Sequence, residues 1–332
     1  MAGAETVSDS WRPTVTLPVM RQRARLLATL RAFFASRDVL EVETPLLSQA
    51  AVTDRHLDSL VTDVQVPGQG LRRYYLQTSP EFAMKRLLAS GSGPIYQIAR
   101  VFRNGERGRL HNPEFTMLEW YRPGYDHHAL MDEVDALLQA LELVPAPARF
   151  SYAEAFRNYA GVDPFVNDIA RLRHCLVAHD VDVSAALHDQ ARDSWLDLIL
   201  THVIEPQWRR QALNCYLYDY PPSQAALARI RHSPGLPAVA ERFELYLHGI
   251  EVANGYHELT DVNEQRRRFL HDLALRQQQQ LPQVPVDDRL LAALQAGLPA
   301  CAGIAIGIDR LLMVLAGVDT LQQVMCFPLE RA

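Results

Sequence analysis

The chain has 332 residues, of which 48% are hydrophobic, and it carries a formal net charge of −6 at pH 7. That length and hydrophobic content are enough for a substantial core, and the acidic balance does not indicate a large nucleic-acid-binding surface. The four cysteines are far apart and form no CxxC pair, which argues against a zinc site or a disulfide framework and fits a reducing compartment. The polar N-terminus is unlike a signal peptide and no apolar run is long enough to cross a bilayer, so the sequence predicts a cytoplasmic protein.

The first part of the chain is predicted to form a helix followed by short strands. Leu17–Asp38 has apolar residues at helical spacing with arginines on the other face, which is typical of an amphipathic helix. Val39–Ala50 alternates apolar and polar residues up to a central proline, which indicates a strand that ends at an edge or a kink. Leu71–Gly91 is predicted as a strand followed by a helix, with Ser79 as its cap and Pro80 at its first position.

That predicted helix contains the single lysine of the chain, Lys85, whereas the other basic residues are arginine. Two explanations remain open: a compositional bias left this lysine by chance, or the position requires a compact ammonium group. Because a methionine precedes Lys85, the chain has no GK[ST] triplet of a P-loop, and it has no GxGxxG run either. Nucleotide phosphates would therefore have to be bound by another arrangement.

The segment 94–123 is predicted to form a β-hairpin with strands over 94–104 and 113–123. Alternate residues of a strand share a face. One face of the second strand then carries Phe115, Met117, Glu119 and Tyr121, and the other carries Thr116, Leu118 and Trp120. A buried carboxylate needs a cationic or hydrogen-bonding partner, so Glu119 would be paired with an amine ligand or with Arg100 or Arg103.

The middle of the chain is predicted to be largely helical. A helix is expected over about 125–143, and residues 145–235 are interpreted as an insertion and not as an independent domain. Within it, helical segments are expected over Ile169–Ala178 and Gln190–Ile204.

The C-terminal third is predicted to return to strands. Residues 241–261 are strand-rich, and 302–317 reads as a short strand followed by a helix with Asp309 as its N-cap. Antiparallel strands with helices segregated around them predict the α+β class, with an antiparallel sheet flanked by helices and a helical insertion.

Two acidic residues in "GIEVANGYHELT", Glu251 and Glu258, are seven positions apart, which puts them on opposite faces of a regular strand. A one-residue bulge at Asn254-Gly255 would reverse that parity and bring both carboxylates to one face. Such a pair can bind the Mg²⁺ that accompanies a nucleotide, although two solvent-facing acids would give the same pattern.

Arg310 follows "GIAIGID", in which Gly303 and Gly307 leave room for a ligand to approach the backbone. A guanidinium group at the start of a helix can contact phosphate or stack on an aromatic ring. A surface arginine at a helix start is the alternative.

Three segments together resemble the catalytic core of class II aminoacyl-tRNA synthetases. "VLEVETP" is similar to motif 1, "FRNGERGRLHNPEFTMLEWY" to motif 2 and "GIAIGIDRLL" to motif 3, in the expected order and with wording closest to lysyl-tRNA synthetases. Because the first predicted helix begins near Leu17, the chain is expected to have no N-terminal anticodon-binding domain. It therefore resembles the truncated lysyl-tRNA synthetase paralogues that ligate (R)-β-lysine to elongation factor P, over nearly its whole length.

The resemblance implies a single catalytic domain over residues 1–332, with a partly helical insertion at about 145–235 and no anticodon-binding domain. It implies a homodimer that uses ATP and Mg²⁺, activates (R)-β-lysine or lysine as an adenylate, and transfers it to a lysine side chain of elongation factor P. No tRNA partner and no membrane are expected.

The resemblance also assigns site residues. The catalytic residues would be Arg103, which holds the α-phosphate of ATP, and Arg310, which sandwiches the adenine with Phe115. ATP would further be lined by Asn104, Gly105, Asn112, Glu251, Val252 and Gly307. The amino-acid substrate would be surrounded by Ser79, Pro80, Glu81, Glu119, Tyr121, Asn254, Tyr256 and Glu258. Mg²⁺ would be bound by Glu251 and Glu258.

Two positions depart from the family pattern. The motif 2 sequence usually has glutamate where this chain has Gly105, so that contact is lost or is supplied by Glu106. Synthetase motif 3 usually has glycine where Ala305 stands, and one methyl group can shift a preference between substrates by about 1–3 kcal/mol. Two alternative functions stay open: a lysyl-tRNA synthetase-like enzyme that charges tRNA, and a non-catalytic paralogue that binds amino acid or ATP.

Overall fold

The structure is a computed structural model that describes residues 11–183 and 191–332. The α-helices are α1 Leu17–Ala35, α2 Glu81–Ala89, α3 His127–Ala140, α4 Tyr152–Ala160, α5 Ile169–Ala178, α6 Arg192–Ile199, α7 Glu205–Arg210, α8 Val262–Gln278, α9 Asp288–Gly297 and α10 Ile308–Ala316. The strands are β1 Leu40–Glu41, β2 Leu47–Ser48, β3 Val61–Val66, β4 Gly70–Leu76, β5 Ile95–Phe102, β6 Glu114–Pro123, β7 Ala148–Ser151, β8 Cys215–Tyr220, β9 Ile230–Arg231, β10 Val239–Leu247, β11 Ile250–His257 and β12 Cys301–Gly307.

The chain divides into two compact units. The first comprises the residues up to Gly124 together with Thr260–Ala300 and Ala305–Ala332, and the second comprises Tyr125–Leu259 and Cys301–Ile304. The predicted α+β class, with mainly antiparallel strands flanked by helices, is confirmed. The single domain with an insertion at 145–235 stays a prediction.

In the first unit, β5 pairs in parallel with β1 and antiparallel with β6, and β2, β4 and β3 form a separate antiparallel sheet. The predicted hairpin is therefore confirmed. The ring of Phe34, on α1, stacks on Tyr96 with centroids 4.4 Å apart and meets Trp120 edge-on. This aromatic packing covers one face of β6. The other face carries Glu119 and Tyr121.

In the second unit, β8 pairs in parallel with β7 and antiparallel with β10, which also pairs with β9 and β11. Helices α4 to α7 cover this sheet through a buried cluster that includes Tyr152, Phe156, Trp208 and Tyr246. Apolar helix faces buried on a sheet are a stable arrangement, because both elements remove hydrophobic surface from water.

Most predicted helices are present with shifted ends. The first ends at Ala35 and not at Asp38, whose φ of 53° is incompatible with a right-handed helix. The predicted helix over 125–143 is α3, capped by the Asp126 side chain, and the prediction over Ile169–Ala178 coincides with α5. Of the prediction over Gln190–Ile204, Gln190 lies outside the described residues; the rest is α6 followed by a π-helical turn.

Three local predictions were wrong. The strand predicted over Val39–Ala50 is two separate two-residue strands, β1 and β2. Pro80 lies at the N-cap of α2 and not at its first helical position, although Ser79 Oγ does accept a hydrogen bond from the Glu81 N–H at 3.0 Å. Asp309 is not a cap, because α10 begins at Ile308 and the Asp309 side chain points to other partners.

Asp309 instead anchors α10 to α1 and β6. Its carboxylate accepts hydrogen bonds from Arg23 Nη1 at 2.6 Å and from the Thr116 N–H at 2.7 Å. Arg23 Nη2 also donates to Thr116 Oγ1 at 2.6 Å. The side chain of Asp309 is only 3% exposed, so this ion pair is largely desolvated on the carboxylate side.

Replacing Asp309 by alanine is expected to lower the free energy of unfolding by about 3 kcal/mol, because it leaves Arg23 without its carboxylate partner and the Thr116 N–H without its acceptor. Chemical denaturation measures the loss. The exposed Asp319, replaced by alanine as a control, should change stability by about 0.5 kcal/mol or less. Equal stability of the two variants would contradict the anchoring role.

The four cysteines, all within the described residues, form no disulfide. Among the helices of residues 11–183 and 191–332, none combines the length and the apolar character needed to cross a membrane.

Candidate active site

The first unit contains a buried carboxylate in the middle of β6. Glu119 is 2% exposed, and its two oxygens accept hydrogen bonds from Ser79 Oγ and from Tyr121 Oη, each at 2.6 Å. Glu119 and Tyr121 therefore share a face, as the strand alternation predicts. Arg100, one of the suggested cationic partners, lies on the opposite face, where it contacts Thr116 and Glu114.

The environment of Glu119 favours its protonated form. Burial, followed by the charge of Glu81, raises the pKa of Glu119 to about 7, and the hydrogen bonds from Ser79 and Tyr121 and the charge of Lys85 only partly oppose this shift. An ammonium group placed beside this carboxylate would favour the ionised form again. The site is therefore suited to bind an amine.

The segment that begins α2 supplies the second carboxylate of this group. Ser79 donates to Glu119 and accepts from the backbone of Glu81, so the helix start is tied directly to β6. The Glu81 Oε1 atom accepts a hydrogen bond from Lys85 Nζ at 2.6 Å, one helical turn later. Sequence reasoning named Ser79, Pro80, Glu81 and Glu119 but gave no role to Lys85.

Arg103 lies at the loop between β5 and β6, next to an aromatic ring. Its guanidinium carbon is 5.2 Å from the centroid of Phe115, and Nη1 is 3.6 Å from Glu106 Oε1. The Nε atom of Arg103 is buried and has no hydrogen-bond partner among the described residues. A cationic group with an unsatisfied donor beside an aromatic surface is suited to a ligand that is both anionic and planar.

Two neighbouring loop residues are also fixed by the fold. Asn104 donates through Nδ2 to Asp58 Oδ2 at 2.9 Å. Gly105 has a φ of 76°, a conformation that a glutamate would adopt only with strain, so the departure from the family pattern has a backbone reason. Glu106 is an acidic residue that reaches Arg103, and whether it replaces the ligand contact of the family glutamate stays a prediction.

Arg310, on α10, closes over the same loop. Its Nε donates to the Leu110 carbonyl at 3.2 Å, and Nη2 is 2.8 Å from His111 Nε2. Burial and then the Arg310 charge lower the pKa of His111, so the neutral imidazole can accept from the guanidinium group. The adenine sandwich between Arg310 and Phe115 stays a prediction.

Three further positions complete this part of the first unit. Asn112 uses both ends of its side chain on backbone groups, donating to the Glu114 carbonyl and accepting from the Leu329 N–H, so it holds the loop. Gly307 is the N-cap of α10. Ala305 packs with Phe115 against a small buried cluster of Ala99, Val101 and Met117.

The second unit carries the other predicted site residues on β11. Leu245 faces Ala253 and Tyr246 faces Glu251, so Val252 is the extra residue of a bulge. The bulge was expected at Asn254-Gly255 and lies two residues earlier. Glycine is required at position 255 for a different reason, since a Cβ atom there would be 2.5 Å from the Phe243 ring.

The bulge does reverse the strand parity. Glu251, Asn254 and Tyr256 pair with Tyr246, Glu244 and Arg242, which are alternate residues on one face of β10. Asn254 Nδ2 donates to Tyr256 Oη at 2.9 Å. Glu258 follows on the same alternation, just past the end of β11, and is 2% exposed. Carboxylate oxygens are the ligand type that Mg²⁺ prefers, so Glu251 and Glu258 are chemically suited to the implied ion, and their binding of Mg²⁺ stays a prediction.

A cluster of two histidines and one glutamate in this unit was not predicted from the sequence. His127, Glu241 and His257 have ligand atoms within 4.8 Å of one another, although they are far apart in sequence. Burial raises the pKa of Glu241, but His257 and Arg229 outweigh it and lower that pKa to about 2. Arg229 and Arg231 lie 2.8 and 3.3 Å from this carboxylate. We interpret the group as an ion-pair network, because its acid is already neutralised by arginine.

Comparison with known proteins gives a consistent result. The family model described as tRNA synthetases class II (D, K and N) matches residues 7–331. A protein of Vibrio cholerae serotype O1, named elongation factor P–(R)-β-lysine ligase, is 50% identical over 327 residues, which are 98% of this chain and 99% of the relative. The resemblance inferred from three short motifs is thus confirmed over the whole chain. The chain belongs to the class II tRNA synthetase family.

Proposed function

We propose that this protein is an ATP-dependent ligase that activates (R)-β-lysine as an aminoacyl-adenylate and transfers it to a lysine side chain of elongation factor P. The observation that carries the proposal is the 50% identity to a ligase of that name over nearly the full length of both chains. The buried Glu119, with its hydroxyl partners and its raised pKa, supports an amine-bearing substrate.

In the proposed first step, Glu119 and Glu81 bind the ammonium groups of the substrate and orient its carboxylate. That carboxylate attacks the α-phosphate of ATP, and pyrophosphate leaves. Arg103 stabilises the negative charge that develops on the α-phosphate and Arg310 holds the adenine of ATP in place, since positioning and charge stabilisation provide most of the rate in such reactions. Glu251 and Glu258 would hold Mg²⁺, which neutralises phosphate charge when bound.

In the proposed second step, the ε-amine of the acceptor lysine attacks the carbonyl carbon of the adenylate. The C–N bond of an amide forms, the bond to the phosphate oxygen breaks, and AMP leaves with its electron pair. The attacking nitrogen loses a proton in the same conversion. The overall reaction consumes ATP and yields AMP, pyrophosphate and the modified protein.

The remaining assignments belong to the same proposal. ATP is lined by Asn104, Gly105, Asn112, Phe115, Val252 and Gly307, and the amino acid by Ser79, Pro80, Tyr121, Asn254 and Tyr256. We also propose a homodimer with one catalytic domain per chain, which uses no tRNA.

Amino-acid-dependent exchange between ATP and pyrophosphate tests the activation step. Exchange is expected with (R)-β-lysine, and absence of exchange with both (R)-β-lysine and α-lysine would reject an enzyme of this class. The acceptor is then identified by supplying labelled amino acid with elongation factor P or with tRNA. Label on tRNA and not on elongation factor P would favour the alternative function, and elongation factor P with its acceptor lysine replaced by arginine is the matched control.

A further inference from the structure

Lys85 is a buried cation next to the group of Ser79, Glu81, Glu119 and Tyr121, which is proposed to bind the substrate amine and is called the amine pocket. It is 2% exposed, and its Nζ atom is 2.6 Å from Glu81 Oε1. An ammonium group removed from water is unfavourable unless a strong partner compensates it, so the Glu81 carboxylate is needed to keep Lys85 charged. Glu81 itself remains partly exposed, with 17% of its side chain accessible.

A short chain of contacts links Lys85 to Glu119. Lys85 binds the Glu81 side chain, the Glu81 backbone donates to Ser79, and Ser79 donates to Glu119. The charges are linked as well: Glu81 raises the pKa of Glu119, and Lys85 lowers it. Any group that alters the charge on Lys85 therefore acts on both carboxylates of the pocket.

We propose that Lys85 is a positioning residue for the amino-acid substrate, which holds one oxygen of Glu81 so that the other is presented to a substrate ammonium group and which offsets the repulsion between Glu81 and Glu119. The proposal rests on the proposed function, because it assigns Lys85 to the amine pocket of that enzyme. Two carboxylates that repel each other, as the effect of Glu81 on the pKa of Glu119 indicates, do not easily both ionise without a nearby cation.

The choice of lysine fits the geometry of its contact with Glu81. The position is buried within α2, where a compact ammonium on a flexible stem can reach an oxygen one turn away. A guanidinium group is planar and larger, so we expect it to displace the Glu81 carboxylate. A chain that uses arginine elsewhere therefore keeps lysine at this one position for a physical reason.

The test compares Lys85→Met with Arg86→Met, which removes an exposed cation from the next position of the same helix. Exchange is measured against (R)-β-lysine concentration, against ATP concentration and from pH 6 to pH 9. Lys85→Met is expected to raise the KM for the amino acid at least ~10-fold at pH 7, and to move the midpoint of its pH dependence upward by about one unit. The KM for ATP and all parameters of Arg86→Met should stay within about 2-fold of the wild type, as for a change far from the ligand.

Two further variants separate positioning from a purely structural role. Lys85→Arg keeps the charge and should keep the pH midpoint, while its KM for the amino acid rises because Glu81 is displaced. Adding Lys85→Met to Glu81→Gln should raise KM little beyond Glu81→Gln alone, since residues that act through one another are not additive.

The outcomes distinguish this inference from the function on which it rests. A wild-type protein without exchange for any lysine isomer rejects the proposed function. Wild-type exchange together with an unchanged KM and pH profile in Lys85→Met overturns the role of Lys85 alone. A parallel loss of amino-acid and ATP affinity in both Lys85 variants, with lower thermal stability, would show that Lys85 only supports the fold.

Discussion

Replacing Arg310 by alanine is expected to reduce amino-acid-dependent exchange between ATP and pyrophosphate about 10²-fold, the size of effect seen when a reacting group is misplaced by about 1 Å. Arg310 contacts both Leu110 and His111, so it is already held in the loop where we propose that ATP binds. Since its guanidinium group is proposed to cover the adenine, the KM for ATP should rise while the KM for the amino acid changes little.

The matched control is Arg107→Ala. Arg107 belongs to the same loop, is 65% exposed and pairs with Glu330, and its removal should leave exchange within about 2-fold. A local readout is available as well: loss of Arg310 removes a charge that lowers the pKa of His111, so the pKa of His111 measured by NMR should rise toward its ordinary value. Full exchange activity in Arg310→Ala would show that the motif 3 assignment is wrong.

Replacing Glu119 by glutamine is expected to raise the KM for (R)-β-lysine about 10²-fold at pH 8, because a charge-assisted contact to the substrate ammonium is lost in a buried site. In the wild type the affinity for the amino acid should increase as the pH rises through about 7, where Glu119 becomes ionised. The variant should lose that step, and exchange measured from pH 6 to pH 9 detects it.

The same carboxyl group makes a prediction for stability. Its pKa in the folded protein lies above the ordinary value of 4.5 for glutamate. Its contribution to the free energy of unfolding is therefore fully present below about pH 4.5 and is lost as the pH rises through about 7. Chemical denaturation of the ligand-free protein at pH 5 and pH 8 should show this decrease, and Glu119→Gln should not contribute to it.

Glu114→Gln serves as the control for both measurements, since Glu114 lies on the same strand but is half exposed and pairs with Arg100. It should keep the pH step in amino-acid affinity and the decrease in stability. If Glu119→Gln retained the step in amino-acid affinity at pH 7, another group would have to bind the substrate amine.

Features that depend on neighbouring residues were predictable from the sequence. The two-residue period of β6 placed Glu119 and Tyr121 on one face, and helical spacing located α1, α3 and α5. The residue sequences of the three motifs indicated the family, since a motif is recognised from the order of residues along the chain alone. These features need no knowledge of what packs against them.

Features that depend on distant residues were decided by the tertiary structure. Gly255 suggested a bulge, but the glycine is required by the Phe243 ring, and the bulge itself is at Val252. Asp309 resembled a helix cap, yet it binds Arg23 and Thr116, which lie more than 190 positions earlier.

The pair of Lys85 and Glu81 depends both on neighbouring residues in the sequence and on distant residues in the tertiary structure. The sequence determined that a lysine and a glutamate are four apart on one helix, and that the chain has no other lysine. Such a pair on an exposed helix face contributes little, because water screens it. Only the tertiary structure buries Lys85 and brings the pair near Glu119. The lower dielectric there strengthens the electrostatic interactions among these three charges, and through them Lys85 acts on the amine pocket.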